Sequence, residues 1–259
     1  MTHLLGTSMV TPVLAAPGLR SEQVTQLLLG EGAELLERQD PFLKIRTSLD
    51  RVEGWVHRGY VQAMDRNRHD GWLATAAWSG GGTVVLAARH LEVPHRARVQ
   101  REGADRIRLP DGRAARVIGG TFATIAETIT AAQAMPPATW AWESFGEAPY
   151  LWGGLTRGGI DCSGLVQTTF LARGVPLPRN AAEQAEMGAE CRADAIAPGD
   201  LLFFRSATGD PIDHVAIADV DGGLVHAAVA AGRVVREPWG PDDPAATLRP
   251  LLAMVRRLT

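Results

Sequence analysis

The apolar positions of this chain fall into two different rhythms. Over the first ~65 residues they form short, partly alternating runs: VTPVLAA, VTQLLLG, AELLERQ, FLKIRT and EGWVHRGYV. Gly, Pro and Asp separate these runs at close spacing, which predicts short strands of a small barrel or sandwich. TPVLAAP reads as the first strand. Residues 66–121 repeat the style more weakly in TVVLAARHLEVP, ARVQREG and DRIRLPDGRAARVIGG, with a turn expected at Pro110–Gly112. FATIAETITAAQAM then shows helical spacing without glycine and stops at Pro136 and Pro137. Another short helix is expected in WAWESFGEAPY. A glycine-rich loop follows and leads into DCSGLVQTTFLARG, a helix closed near Gly174, and a second helix is expected in AAEQAEMGAEC. APGDLLFFRS reads as a turn feeding an apolar strand. DHVAIADVDGGLVHAAVAAGRVVREP reads as three strands joined by DGG and AG turns, and ATLRPLLAMVRRLT supplies a last strand. Helices first and an antiparallel sheet after them make the C-terminal half an α+β unit.

Composition narrows the classes. The 259 residues are 46% apolar and 21% charged, which suits a soluble chain with a real core, in one large domain or two to three small ones. A net charge of −3 with no long Lys/Arg run speaks against a nucleic-acid partner. No apolar stretch approaches the ~20 residues of a membrane span, so no membrane partner is expected. MTHLLGTSMVTPVLAAPGLR has no basic residue ahead of its apolar part, which Thr, Ser and Pro interrupt, so a cytoplasmic location is expected. Cys162 and Cys191 are too few for a disulfide framework and lack zinc-ligand spacing; one disulfide could join them.

Cys162 has a better use. It stands at the expected start of a helix, behind Asp161 and ahead of Ser163, both suitable capping types. Helix-terminal N–H groups lower a thiol pKa, and the glycines at 153, 154, 158 and 159 let backbone and substrate come close. An activated thiol also needs a base. His214 opens one strand and His226 lies in the next, across the DGG turn, so antiparallel pairing brings them together as base and orienting partner. Taken singly, each residue has a structural reading, Cys162 as a packed thiol and His226 as a core histidine; their order and contexts together favour chemistry. His3, His57, His69, His90 and His95 show no partner pattern and are expected to be surface or structural.

YLWGG, IDCSGLVQ, PRN, APGDLLFF, DHVAI and LVHAA, in that order, resemble the NlpC-type bacterial cell-wall cysteine peptidases over residues 138–259. The resemblance implies a compact papain-like fold, no cofactor and no metal. It also implies a Cys162 nucleophile, a His214 base, a His226 orienter and Tyr150 as an oxyanion donor. The N-terminal half, best in GEGAELLERQ…FLKIRT…EGWV, resembles the paired SH3-like barrels that precede this domain in some members. The implied layout is an SH3-like barrel over 1–65, a second, divergent one over 66–121, a helical linker over 122–137 and the peptidase domain over 138–259. Those relatives are dipeptidyl peptidases that cut γ-D-Glu from a diamino acid in murein peptides with a free N-terminal L-Ala. By that likeness the substrate is a murein peptide, Trp152, Asp161 and Ser163 line the γ-D-Glu pocket, and Glu31 meets the amine, with Trp55 or Tyr60 assisting. Where relatives commonly read PRD, often followed by Ser, this chain has Asn180 and Ala181, so an uncharged side chain stands where a carboxylate would hold the amine. A wall-peptide binding protein with little turnover and a related thiol amidase or acyltransferase are the competing readings.

Overall fold

A computed structural model of the protein describes residues 2–258 other than Ala207. The chain forms two compact units, Met1–Thr128 and Ile129–Thr259.

The first unit holds two antiparallel sheets. Strands β1 (His3–Gly6), β2 (Val10–Leu14), β3 (Gln23–Leu28), β4 (Gly32–Gln39), β5 (Phe42–Thr47), β6 (Glu53–His57) and β7 (Val61–Met64) make one sheet in the order β3-β2-β6-β5-β4-β1-β7. Period-2 alternation explains its faces. In FLKIRT, Leu43 and Ile45 enter a core with Leu4, Val13, Leu27, Ala33 and Val56. Arg46, on the other face, pairs with Glu34 and Glu53 of the flanking strands. The second sheet comprises β8 (Ala77–Leu86), β9 (Arg89–Val93), β10 (Arg98–Arg101), β11 (Arg106–Arg108) and β12 (Ala114–Ala123). Its order is β10-β11-β12-β8-β9, and a further β10–β8 pairing closes four of these strands into a ring. The expected turn lies between β11 and β12, with Gly112 at φ 88°.

Two expectations for this unit need correction. The first strand is His3–Gly6, ahead of TPVLAAP, and a helix, α1 (Arg66–Thr75), interrupts the strands after residue 65. Asp65 caps α1 by accepting from the Arg68 N–H at 2.9 Å. Trp72 is its buried apolar residue, so it carries almost no amphipathic signal.

Helix α2 (Ile125–Gln133) begins with a reciprocal capping box. Thr124 N–H donates to Glu127 Oε2 at 2.7 Å, and Glu127 N–H donates to Thr124 Oγ1 at 3.2 Å. Helix α3 (Pro137–Phe145) starts on a proline, whose missing N–H is no loss at that position. The expected linker over 122–137 thus holds α2, the boundary between the two units falls inside that helix, and α3 is the further short helix expected in WAWESFGEAPY.

The second unit is α+β. After a two-stranded ribbon of β13 (Leu155–Thr156) and β14 (Gly159–Ile160) come helix α4 (Cys162–Ala172) and the short α5 (Ala181–Gln184). Strands β15 (Ala189–Cys191), β16 (Leu201–Ser206), β17 (Gly209–Ala218), β18 (Leu224–Ala228), β19 (Arg233–Glu237) and β20 (Leu252–Arg257) form an antiparallel sheet in the order β15-β20-β16-β17-β18-β19. Both faces are covered. Leu201, Phe203, Val215, Ile217 and Val225 pack with Leu165 and Val166 of α4 and Ala141 and Phe145 of α3. Leu202, Phe204, Ala216 and Leu224 pack under Trp239, Leu248 and Leu251. The helix expected over AAEQAEMGAEC is one turn, and its last three residues are strand. Gly188, at φ 75°, lies between the two and breaks the run. Cys162 and Cys191 are both free thiols.

Candidate active site

Every residue of α4 is buried, the polar Ser163, Gln167, Thr168 and Thr169 included. Its start is fixed by Asp161. The Gly164 N–H donates to Asp161 Oδ1 at 2.7 Å and the Gly153 N–H donates to Oδ2 at 2.8 Å. One carboxylate thus caps the helix and pins the glycine loop before it. Gly164 must be glycine, because a Cβ there would overlap the carbonyl oxygen of Gly154. Arg179 neutralises the cap. Its guanidinium donates to Oδ1 at 2.9 Å, to Oδ2 at 2.6 Å and to Ser163 Oγ at 2.9 Å. Arg179 is only 2% exposed, so the pair is a bidentate buried ion pair. Gln184, also buried, donates to the Ser163 and Pro178 carbonyls at 3.0 and 2.8 Å and ties the Arg179 loop to the helix start.

Cys162 is the first residue of this anchored helix. Its Sγ lies 3.9 Å from the Asp213 carbonyl oxygen, beside the residue that precedes His214. Strands β17 and β18 are in register at Ile217–Val225 and Ala218–Leu224, next to their turn. Farther out, side chains link them: His214 Nε2 is 2.8 Å from His226 Nδ1. On the next strand, Leu224 faces Glu237 and His226 faces Val235, which makes His226 and Glu237 diagonal neighbours on one face of the sheet. His226 Nε2 lies 3.0 Å from Glu237 Oε1. The result is a hydrogen-bonded line of His214, His226 and Glu237 across three strands, with the thiol at the His214 end.

The electrostatics differ from the sequence expectation at Cys162. Burial pushes its thiol up to about 12, with the negative charge of Asp161 adding to the rise; the N–H groups of Val215 and Ser163 offset only part. Desolvation outweighs the helix start here. Burial, then the neighbouring His226, push His214 down to about 3. The resting pair is therefore a neutral thiol beside a neutral imidazole. Tyr150 is half-buried, and its phenol is raised above its ordinary range by burial first and then by Cys162 and Asp161. Its backbone N–H donates to the Gly232 carbonyl at 2.8 Å.

Cys162, His214, His226, Tyr150, Asp161 and Ser163 are thus brought into one region. Asp161 and Ser163 are buried and bonded to Arg179. Trp152 is 57% exposed in the glycine loop. Asn180 is exposed, and its amide donates to Glu183 Oε2 at 3.3 Å. Glu31 belongs to the first unit, where it is buried. It accepts from Arg96 Nε at 2.7 Å and from the Leu28 N–H at 2.9 Å, so its charge is already paired. Trp55 is buried there with Leu14 and Phe42, and Tyr60 is 38% exposed. Sequence reasoning missed Arg179, Gln184 and Glu237. Among the described residues, no group of three or more His, Cys, Asp or Glu side chains is arranged to hold a metal ion, and no helix is long and apolar enough to cross a membrane.

A buried helix-borne cysteine, set against an antiparallel sheet that carries paired histidines, defines the papain-like class. Residues 146–241 match the NlpC/P60 family, and residues 10–62 match the bacterial SH3 domain. Along the chain a bacterial SH3 match is thus followed by an NlpC/P60 match. It is 40% identical over 91 residues to a probable endopeptidase NlpC of Escherichia coli K12, covering 35% of this chain and 59% of that one. It is 42% identical over 79 residues to a γ-D-glutamyl-L-lysine dipeptidyl-peptidase of Bacillus subtilis 168, covering 30% of this chain and 27% of that one. The alignments therefore span little more than half, or less, of these curated relatives. An NlpC/P60 family protein of known structure from Bacillus cereus shares the fold with a TM-score of 0.80, at 19% identity and with 99% of each chain covered.

Proposed function

We propose that the protein is a cysteine peptidase that hydrolyses the bond between γ-D-Glu and a diamino acid in short murein peptides. The observation that carries this reading is the His214–His226 hydrogen bond with the Cys162 thiol beside it, 3.9 Å from the carbonyl of the residue before His214. In the proposed reaction His214 takes the thiol proton as Cys162 attacks the γ-glutamyl carbonyl carbon. The same proton then passes to the leaving amine, and water attacks the resulting thioester to regenerate the thiol. In this reading Tyr150 and a backbone N–H at the helix start act as oxyanion donors; one such donor lowers a barrier by about 3 kcal/mol. The likeness to a γ-D-glutamyl-L-lysine dipeptidyl-peptidase supports the choice of bond.

The reading includes recognition of a free N-terminal L-Ala. Asn180 lacks the charge that an amine partner would bring, but the Glu183 carboxylate is held beside it, so a negative group remains on that turn. The ring closure of β10 on β8 supports reading 66–121 as a second, divergent SH3-like barrel, with α1 ahead of its strands. The deciding experiment is hydrolysis of L-Ala-γ-D-Glu-meso-diaminopimelate beside its N-acetylated form, with products identified by mass. Cleavage of the free peptide alone is expected. Equal cleavage of both would remove the amine requirement, and cleavage of neither would remove the peptidase reading.

A further inference from the structure

The line of hydrogen bonds does not end at the two histidines, and its far end decides how they work. A neutral imidazole has one N–H and one lone pair, and its partners choose which nitrogen carries the proton. Two histidines in series can be ordered in two ways. In one, His214 Nε2–H donates to His226 Nδ1, which leaves the lone pair of His214 on Nδ1. In the other, His226 Nδ1–H donates to His214 Nε2, which puts the proton on His214 Nδ1. Nδ1 is the ring nitrogen nearer the main chain, and Cys162 Sγ approaches that main chain at the Asp213 carbonyl. The first order leaves Nδ1, on the main-chain side of the ring, free to accept a proton; the second fills it.

Glu237 breaks the tie. An ionised carboxylate only accepts. With Oε1 3.0 Å from His226 Nε2, that nitrogen must donate, His226 Nδ1 must accept, and His214 Nε2, 2.8 Å away, must donate in turn. We propose that Glu237 is a positioning residue: through His226 it holds the lone pair of His214 on Nδ1, and its negative charge favours the imidazolium that forms when His214 takes the Cys162 proton. This inference rests on the cysteine-peptidase reading for its catalytic part; the tautomer order stands without it. Glu237 lies on β19, and its side chain is 21% exposed. Water reaches it from outside, and the position is open to substitution without emptying the core.

The test is nitrogen NMR of the intact protein with 15N-labelled histidine, together with steady-state hydrolysis of L-Ala-γ-D-Glu-meso-diaminopimelate. The parent is expected to carry protons on Nε2 of both His214 and His226. Glu237→Leu is expected to shift part of the His214 population to Nδ1–H and to lower kcat about 10–100-fold, the range typical when a metal-bound imidazole loses its outer hydrogen-bond partner, with KM within about twofold. Glu237→Gln keeps an acceptor oxygen of the same reach and is expected to keep the tautomers and recover part of kcat. A parent His214 protonated on Nδ1, or a folded Glu237→Leu with parent tautomers and parent kcat, overturns the proposal. If Glu237→Leu fails to fold, the parent spectrum and Glu237→Gln decide. A parent with ordered Nε2–H tautomers that hydrolyses nothing sinks the peptidase reading and leaves the tautomer assignment standing.

Discussion

Each unit of this protein brings two histidines and a carboxylate together, and only one of the two groups is arranged for proton transfer. In the C-terminal unit, Glu237, His226 and His214 are joined nitrogen to nitrogen and nitrogen to oxygen, at 3.0 and 2.8 Å. In the N-terminal unit, His69 Nδ1 meets Asp70 Oδ1 at 2.9 Å, but His3 meets His69 ring to ring, with centroids 4.9 Å apart. His69 Nε2 is buried without a hydrogen-bond partner among the described residues. Residue type and proximity are alike in the two groups; connectivity is not. A connected line of donors and acceptors can move a proton, whereas two rings in tilted contact can only pack.

The sharpest test of that contrast is to cut the connected line at its working end. Cys162→Ala and His214→Ala should each lower kcat/KM by about 10⁴–10⁶-fold, and the double variant should be no worse than either alone, since groups that act as a unit do not add. A His214→Ala enzyme that retains a tenth of parent activity would dissolve the distinction between the two groups. The next largest effect is expected at His226→Leu, about 10²–10⁴-fold in kcat, because His214 then loses its orienting partner.

A third test uses pH. Because burial holds His214 near 3, the base stays neutral well below its ordinary range. The acid limb of kcat/KM due to His214 should therefore lie far below pH 6. Stability carries the same signature with a defined sign. Between pH 6.5 and about 3 the unfolded chain takes up a proton that folded His214 refuses, so stability should fall as pH falls through that window. Urea midpoints measured across it should lose part of this slope in His214→Asn; an unchanged slope would show that His214 titrates normally.

The smallest effect is expected in the other group. His69→Leu removes one hydrogen bond to an exposed Asp70 and also removes a buried nitrogen that has no partner, two opposing changes of about 1 kcal/mol each. Stability should stay within about 1 kcal/mol of the parent, and kcat/KM within twofold. A large loss of activity would give that group a role that its geometry does not suggest.

The connected line was partly legible in the sequence. Asp161 and Cys162 sit at the start of an apolar run after a glycine loop, and a DGG turn between DHVAI and LVHAA forces His214 and His226 toward each other. These signals are local, and local patterns survive folding. Glu237 was legible in principle: pairing β18 with β19 across the AG turn makes it the diagonal neighbour of His226, but that needs the register, which a turn of uncertain length leaves open. Arg179 was hidden for another reason. A buried arginine looks like a surface arginine until its carboxylate partner is known, and Asp161 lies 18 positions away. Helix α1 was missed because little of it is apolar, and the second half of AAEQAEMGAEC became strand because Gly188 ends the helix and β20 offers an open edge. The Cys162 thiol was expected to be acidified by its helix, and instead burial dominates, a balance that no sequence pattern reports.

One feature of the sheet has a meaning apart from chemistry. Strand β19 is last in its sheet, and such an edge normally offers unpaired amides and carbonyls to any passing strand. Here Val234 N–H donates to Ala148 O, Glu147 N–H to Val234 O and Tyr150 N–H to Gly232 O, so the segment that carries Tyr150 also seals that edge. At the opposite edge stands β15, only three residues long. Loosening residues 147–150 should therefore do two things at once: displace the tyrosine and expose a sticky β edge, so that solubility and turnover decline together.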